Sequence, residues 1–321
     1  MTSASSETPE FSAIVTCYFE EKSIDEFYSR LRATLEKTGR SFEIVLVNDG
    51  STDGTFQRLR SIHARDAHVT VIDLFRNAGQ ACAMTAAIER CRGRALVFID
   101  SDLQLDPEDL PLLLSEYDQG ADVVSGARRD RQDPIARRVF SSFANSTLRR
   151  MTRTRFTDFG CTFKIFRADL IRAFEFGPKL PFNPVYVIRS AGRTREVLVT
   201  HHPRRYGRSG WTLRKLWTFY LDNLLGYSEG TFQALSALAF GAAFLTLVRI
   251  GLAWTFPTSV LAVVTTGLIL NALLLSMAVV LGVLGLLGEY VIRIHNRESW
   301  GPRYVVREAL AAREADEPTA P

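Results

Sequence analysis

Cysteine is scarce in this chain and follows no metal-binding or disulfide pattern. The 321 residues contain four cysteines, with no CxxC pair and no regular spacing: Cys17, Cys82, Cys91 and Cys161. Such spacing supports neither a zinc site nor the disulfide framework of a small secreted domain. We therefore expect reduced thiols in a cytosolic domain.

A secretory signal and a large excess of charge are also lacking. Residues 1–10 are polar and rich in Ser and Thr, without the apolar core of a cleavable signal. We expect them to be disordered and the domain after them to stay in the cytoplasm. Lys and Arg number 39 against 35 Asp and Glu, a formal net charge of +4, and the arginines form local clusters. This pattern predicts no nucleic-acid partner.

Charged residues almost disappear from one long region. Between Phe232 and Leu287 the only Lys, Arg, Asp or Glu is Arg249. Two apolar segments there, at about 232–254 and 260–288, each exceed the roughly 20 residues that span a hydrocarbon core. Because the turn between them is short, they predict an antiparallel two-helix transmembrane hairpin, which needs a lipid bilayer as its partner.

Both flanks of this hairpin are basic. The cationic residues are Arg204, Arg205, Arg208, Arg214 and Lys215 before it, and Arg293, Arg297, Arg303 and Arg307 after it. Because positive charge favours the cytoplasmic side, we expect a multi-pass inner-membrane protein with both termini and the tail, 293–321, in the cytoplasm.

Two amphipathic stretches interleave aromatic or aliphatic residues with cations. Residues 211–230 directly precede the hairpin, which favours a juxtamembrane helix lying at the bilayer interface. Residues 134–152 carry the same kind of pattern. That stretch is equally compatible with an interfacial helix and with a surface helix that packs on its own domain.

The region 11–210 alternates short apolar runs with helix-like stretches. This alternation predicts an α/β domain with a mostly parallel sheet of at least four strands. The predicted strands are Ser12–Thr16, Glu43–Asn48, Ala95–Asp100 and Asp122–Ser125, and the predicted helices between the first three are Ser23–Lys37, Asp53–Ala64 and Ala78–Cys91.

Oxygen-bearing side chains follow the strand that ends near residue 100. If that strand persists, Asp100, Asp102 and Gln104 face the same way, because side chains alternate across a strand. Hard oxygen donors at the carboxyl end of a parallel strand suit Mg²⁺ or Mn²⁺ bridging a diphosphate. A solvated turn with a helix cap is the alternative interpretation.

Polar groups follow two other strands in the same manner. Asp49, after the second predicted strand, can accept hydrogen bonds from a nucleobase or ribose, although a plain turn explains it too. Arg76, Asn77 and Gln80 follow another strand end and precede a helix. Since open α/β sheets bind ligands at the carboxyl ends of their strands, all three groups should line one crevice.

Taken together, five segments resemble glycosyltransferase family 2 and, within it, the polyprenyl-phosphate glycosyltransferases. They are Tyr18-Phe19-Glu20-Glu21, Asn48-Asp49-Gly50-Ser51-Thr52-Asp53, Arg76-Asn77-x-Gly79, Asp100-Ser101-Asp102-Leu103-Gln104 and Asp158-Phe159-Gly160-Cys161. The similarity covers about residues 11–228 and extends to the hairpin. Thr16 and Phe19 depart from it, standing where Pro and Asn are usual.

The resemblance implies a GT-A (Rossmann-like) nucleotide-sugar domain and a role for particular residues. The implied nucleotide-binding residues are Tyr18, Glu20, Asp49 and Asp100, together with Arg76, Asn77 and Gln80. Catalytic roles fall to Asp158, as the proposed base, and to Asp102, which with Gln104 holds Mg²⁺ or Mn²⁺. Phosphate or acceptor contacts, and closure of the donor site, fall to Arg128, Arg131, Arg205 and Ser209.

The implied reaction is inverting transfer of a hexose or related sugar from a UDP- or GDP-linked donor to polyprenyl phosphate. A phosphate monoester is already largely a dianion at neutral pH, so such an acceptor needs little help from a base. A nucleotide-sensing membrane scaffold without turnover remains an alternative, and a homo-oligomer remains open. A processive polysaccharide synthase is disfavoured because no QxxRW-like motif is present.

Overall fold

The chain divides into two compact units. Residues 1–210 together with 301–321 form the first, and residues 211–300 form the second. The computed structural model describes residues 8–129, 145–203, 205 and 301–312, with scattered helical positions between 240 and 291. The first unit therefore contains both the N-terminal domain and a segment that follows the predicted hairpin.

An eight-stranded sheet organises the first unit, in the order β7-β5-β6-β4-β1-β2-β3-β8. Strands β1 to β5 and β7 share one direction, whereas β6 and β8 run against their neighbours. The strands are β1 (Phe11–Cys17), β2 (Phe42–Asn48), β3 (Val69–Leu74), β4 (Ala95–Asp100), β5 (Val123–Arg128), β6 (Lys164–Arg167), β7 (Thr194–Val199) and β8 (Val306–Leu310).

Helices connect these strands and cover the sheet. They are α1 (Ile24–Lys37), α2 (Thr55–Arg65), α3 (Gln80–Ile88), α4 (Leu110–Asp118), α5 (145–152), α6 (Ala168–Arg172) and α7 (Pro184–Ser190), with a short 3₁₀ turn at Pro107–Asp109. β1 and β4 are nearly continuous apolar runs because parallel strands are buried on both faces. Ala13 and Val15 of β1 join a core cluster with residues of α1, α2 and α4, while α3 also packs on β1 and β2.

The four predicted strands and three predicted helices are confirmed, with ends displaced by a few residues. The sheet is mixed, since β6 enters antiparallel between β4 and β5. Sequence patterns had named no strand at β6, β7 or β8. Of the predicted amphipathic stretch 134–152, the structure describes only α5, in which Leu148 and Thr152 are buried.

Strand β8 lies in the region that the sequence assigned to a tail. It pairs antiparallel with β3, and the backbone N–H of Phe75 donates to the carbonyl of Val305 at 3.0 Å. Just before β8, Tyr304 is buried. Arg307 contacts the carboxylate of Asp73 at 3.2 Å. The chain after residue 300 therefore completes one edge of the N-terminal sheet.

The membrane predictions fall mainly on residues that the structure does not describe. Within the described part of the chain, no helix combines the length and apolarity needed to cross a bilayer. The juxtamembrane stretch 211–230 and most of 232–254 lie outside the described residues, as do several positions of 260–288. Described positions there are helical, and apolar side chains such as Phe240 and Leu281 are exposed.

Candidate active site

Strand direction brings the chemistry-bearing residues to one side of the sheet. We call it the carboxyl edge: the ends of β1 to β5 with the loops that follow them, and the start of antiparallel β6. Polar side chains from five different loops meet there, because parallel strands all end on the same side. The predicted single crevice is thus consistent with the topology.

The acidic segment after β4 is a bend, which corrects the expectation that the strand persists. β4 ends at Asp100, and Leu103 takes a left-handed backbone conformation with φ of 58°. A carboxylate oxygen of Asp102 accepts the N–H of Gln104 at 3.1 Å. After the bend the chain pairs with a different segment, since the carbonyl of Gln104 accepts the N–H of His202 at 2.8 Å. Asp102 is consequently buried in the bend.

Asp100 joins two separate segments at the carboxyl edge. One carboxylate oxygen accepts from Gln80 Nε2 at 2.6 Å, and the other accepts from Thr162 Oγ1 at 2.7 Å. Gln80 and Asp100 were both predicted as nucleotide-binding residues, and the structure places them in contact. Thr162 was missed, although it directly follows the marked segment Asp158-Phe159-Gly160-Cys161.

Asp49 holds the loop that follows β3. Its carboxylate accepts the N–H groups of Ala78 at 2.7 Å and Gly79 at 3.0 Å, and Asn77 Nδ2 donates to it at 3.0 Å. Burial raises the pKa of Asp49 to about 6, while the bonds from Ala78 and Gly79 act in the opposite direction. Asp49 and Asn77, both predicted site residues, therefore form one unit.

Gly50 lets the loops after β2 and β3 approach each other. Its φ is 65°, and a Cβ on it would lie 2.2 Å from the carbonyl carbon of Arg76. Only glycine fits this backbone contact. Arg76 itself has an exposed side chain beside the Asp49 loop.

An exposed aromatic pair follows β1. Tyr18 and Phe19 are nearly half exposed and meet edge to face, with ring centroids 4.5 Å apart. Phe19 has φ of 60°, and its N–H donates to Ser51 Oγ at 3.1 Å. Asn adopts this left-handed conformation more easily than Phe does. The backbone at residue 19 thus keeps the conformation that suits the usual Asn, although Phe stands there. Glu20 accepts from Ser23 Oγ through its carboxylate.

The predicted base Asp158 is paired with the predicted phosphate ligand Arg128. Arg128 Nε and Nη2 donate to the two carboxylate oxygens at 2.7 and 2.8 Å, the fork geometry in which guanidinium and carboxylate bind best. Asp158 is buried. A Cβ on Gly160 would lie 3.1 Å from Arg128 Nη2, so glycine leaves room for the pair.

The remaining predicted phosphate contacts do not join this pair in the described structure. Arg205 is exposed and donates to Glu26 of α1 at 3.3 Å. Arg131 and Ser209 lie outside the described residues. Two charged residues that the sequence did not mark contact the segment around Asp158: Lys164 and Glu196.

The described acidic residues can hold a metal only together with other ligands. In the described parts of the chain, no group of three or more His, Cys, Asp or Glu side chains could hold a metal on its own. Magnesium commonly uses one or two carboxylates, with substrate phosphates and water as its other ligands. Asp102 and Gln104 supply oxygen atoms of that kind on one bend, so the donor set fits a cation shared with a diphosphate.

Comparison with known proteins gives the same family. Residues 12–174 match the model of Glycosyl transferase family 2. The chain is 32% identical over 318 residues to undecaprenyl-phosphate 4-deoxy-4-formamido-L-arabinose transferase of Edwardsiella ictaluri, covering 95% of this chain and 96% of that protein. It is also 32% identical to dodecaprenyl-phosphate galacturonate synthase of Rhizobium johnstonii, over 93% and 92% of the two chains.

A solved structure supports the fold. The crystal structure of glucosyl-3-phosphoglycerate synthase from Mycobacterium tuberculosis, in complex with Mn²⁺, uridine diphosphate and phosphoglyceric acid, superposes with a TM-score of 0.51. The two are 18% identical, and the match covers 68% of this chain and 76% of that one. The GT-A-like mixed α/β sheet is therefore confirmed. The chain belongs to glycosyl transferase family 2 and is a glycosyltransferase.

Proposed function

We propose that the chain transfers a sugar from a nucleotide-sugar to polyprenyl phosphate, giving polyprenyl-phosphate sugar and a nucleoside diphosphate. The observation that carries this proposal is similarity along the whole chain. The relatives named for polyprenyl-phosphate acceptors match over more than nine tenths of both lengths, well beyond residues 12–174. Similarity that includes residues 211–300 as well as the nucleotide-sugar domain supports a shared acceptor class.

The donor binds, in this proposal, along the loops after β1 to β4. Asp49 accepts hydrogen bonds from the nucleoside, and Tyr18 offers an exposed ring beside it. Asp100 is held in place by Gln80 and Thr162. Asp102 and Gln104 hold Mg²⁺ or Mn²⁺, which when bound offsets the negative charge of the diphosphate.

The reaction is a single displacement with inversion. An oxygen of the acceptor phosphate forms a bond to the anomeric carbon, and the bond from that carbon to the donor diphosphate breaks, so the diphosphate leaves with its electron pair. Arg128 stabilises phosphate charge through its planar donors. Asp158 orients Arg128 through two hydrogen bonds and accepts any proton remaining on the acceptor. Little base strength is needed because the acceptor is largely dianionic at neutral pH.

The membrane segment holds the chain at the bilayer that contains the polyprenyl phosphate. We assign residues 211–230 to a juxtamembrane helix and residues 231–292 to a two-helix hairpin in the inner membrane, with both termini in the cytoplasm. Two observations support this topology. Exposed apolar side chains occupy its described helical positions, and the chain returns after residue 300 to join the N-terminal sheet as β8. Holding both reactants close raises their effective concentration.

The test is sugar transfer by the purified full-length chain. Undecaprenyl phosphate in detergent is incubated with Mn²⁺ and a panel of UDP- and GDP-linked hexoses, uronic acids and 4-deoxy-4-formamido-arabinose. The expected product is a polyprenyl-phosphate sugar formed from at least one donor. Nucleotide binding without transfer from any donor would favour a nucleotide-sensing membrane scaffold and would overturn the proposal.

A further inference from the structure

A fully buried lysine lies directly beneath the turn that carries Asp158. Lys164 is 3% exposed and begins β6, where it lies between Phe98 of β4 and Ser125 of β5. Its ammonium donates to the carbonyl of Phe159 at 3.3 Å and also to that of Cys161. Both acceptors belong to the turn of residues 157–161, so the Lys164 side chain stabilises the conformation of that turn.

A glutamate holds the same turn from another strand. The carboxylate of Glu196, in β7, accepts the N–H of Thr157 at 2.7 Å, the N–H of Asp158 at 3.1 Å and the Thr157 hydroxyl at 2.9 Å. Lys164 therefore binds carbonyl oxygens of the turn, whereas Glu196 binds its N–H groups. Arg128 adds a third attachment through the Asp158 side chain.

Charge explains why these groups occur together. Removing an ammonium from water is costly, and burial lowers the pKa of Lys164, while nearby Asp158 and Glu196 act to raise it. Of these four groups Lys164 and Asp158 are buried, whereas Arg128 and Glu196 are partly exposed. A buried polar group is stable only where its hydrogen bonds are made, so the contacts of Lys164 and Asp158 hold both side chains in a defined geometry.

We propose that Lys164 and Glu196 are positioning residues that fix the 157–161 turn so that Asp158 and Arg128 meet the acceptor phosphate in one geometry. The inference rests on the proposed function. A turn held only by its ends would let Asp158 shift, and a misplacement of about 1 Å in a reacting group can cost about a hundred-fold in rate. The donor contacts proposed for the loops after β1 to β4 lie outside residues 157–161, and Asp100 keeps its bond from Gln80 when the turn moves.

The test compares Glu196→Gln, Glu196→Ala and Lys164→Met in the full-length chain with undecaprenyl phosphate and the donor that the wild type uses. Glu196→Gln keeps one acceptor oxygen for the turn, whereas Glu196→Ala keeps none. We expect kcat to fall about ten- to a hundred-fold in Glu196→Ala and Lys164→Met, and less in Glu196→Gln. The KM for the donor should stay within about two-fold of the wild-type value.

Glu43→Gln is the control, since it removes a carboxylate that accepts backbone N–H groups at the other end of the strands, where it should lower the melting temperature and leave kcat unchanged. If Lys164→Met does not fold, the kcat values of the two Glu196 variants test the inference. Wild-type kcat in Glu196→Ala, with loss of activity in Asp158→Asn, would overturn this inference alone. Full activity in Asp158→Asn would overturn the role of Asp158 in the proposed function as well.

Discussion

The two edges of the sheet use buried carboxylates in different ways. At the amino edge, where the parallel strands begin, Glu43 accepts from Ser12 Oγ at 2.6 Å and from the N–H groups of Arg92 and Gly93. At the carboxyl edge, Asp100 ties the start of α3 to Thr162, and Asp49 holds the loop after β3. Burial of a carboxylate is common to both edges, so it does not by itself identify an active site.

The distinction lies in what the carboxylates hold. Glu43 lies on β2 and joins Ser12 of β1 to the turn that leads into β4, so it holds segments that carry no predicted site residue. At the carboxyl edge, Asp49 and Asp100 join loops from different strands that do carry predicted site residues. The following changes separate the two edges, beginning with the largest expected effect on transfer.

Asp102→Asn should remove most metal-dependent transfer. The amide oxygen can still accept the N–H of Gln104 and keep the bend, so the chain should fold. The lost charge no longer offsets the diphosphate, and we expect kcat/KM to fall by about 10²–10³-fold. Transfer rates measured across a Mn²⁺ titration check this. Wild-type turnover would show that the cation is held elsewhere.

Nucleoside binding should weaken as the pH falls through about 6. The raised pKa of Asp49 means that its carboxylate is ionised at pH 7 and largely protonated at pH 5. A protonated carboxyl loses acceptor capacity for the nucleobase N–H and for the loop N–H groups. The Kd for uridine or guanosine, which carry no phosphate to titrate, should rise about ten-fold from pH 7 to pH 5.

Calorimetric titration of the wild type and of Asp49→Asn at both pH values measures this effect. The amide does not titrate in this range, so the variant should bind weakly at both. An equal pH dependence in the variant would contradict the assignment to Asp49.

Thr162→Val should weaken donor binding by a smaller factor. The valine fills the same volume but donates no hydrogen bond to Asp100, which leaves that carboxylate with one of its two described side-chain donors. Losing a hydrogen bond to a charged group costs about 1.5 kcal/mol, or roughly ten-fold in the Kd of the nucleotide-sugar. Thr34→Val on α1 is the control, since Thr34 bonds only within its own helix. Equal affinities in both variants would remove Thr162 from the donor site.

Glu43→Gln should leave transfer unchanged and lower stability alone. The amide can accept fewer of the bonds now made by Ser12, Arg92 and Gly93, and we expect the free energy of unfolding to fall by about 1–3 kcal/mol. Denaturant titration checks the stability, and steady-state kinetics below the melting temperature checks the activity. Any change in kcat would mean that the two edges are coupled.

Local sequence patterns predicted the site residues better than they predicted its geometry. Asp102 and Gln104 were selected on the assumption that β4 continues, yet the chain bends at Leu103. Asp102 and Gln104 remain candidates because the bend still carries both of their side-chain oxygen donors. Asp158 and Arg128 were both named for separate roles, and their pairing across 30 residues of chain came only from the structure.

Lys164 and Glu196 show why sequence patterns did not predict other residues around the site. Lys164 stands in an ordinary alternating run, in which a lysine usually faces solvent. It is buried because β6 enters the sheet between β4 and β5, a choice that no local pattern contains. Glu196 lies on β7, in a segment without a strand prediction, and it contacts the turn only because β7 joins β5 at the sheet's edge.

By itself the sequence determined the α/β class, four strands and three helices, and the polar groups that follow strand ends. These depend on periodicity and turn chemistry within about ten residues, which local sequence specifies. Only the tertiary structure decided the order of strands, the bend after Asp100, the return of the chain as β8 and the charges around Asp158. Those features join residues from about 30 to more than 200 positions apart, and their free energy comes from burying charge and surface together rather than from local preference.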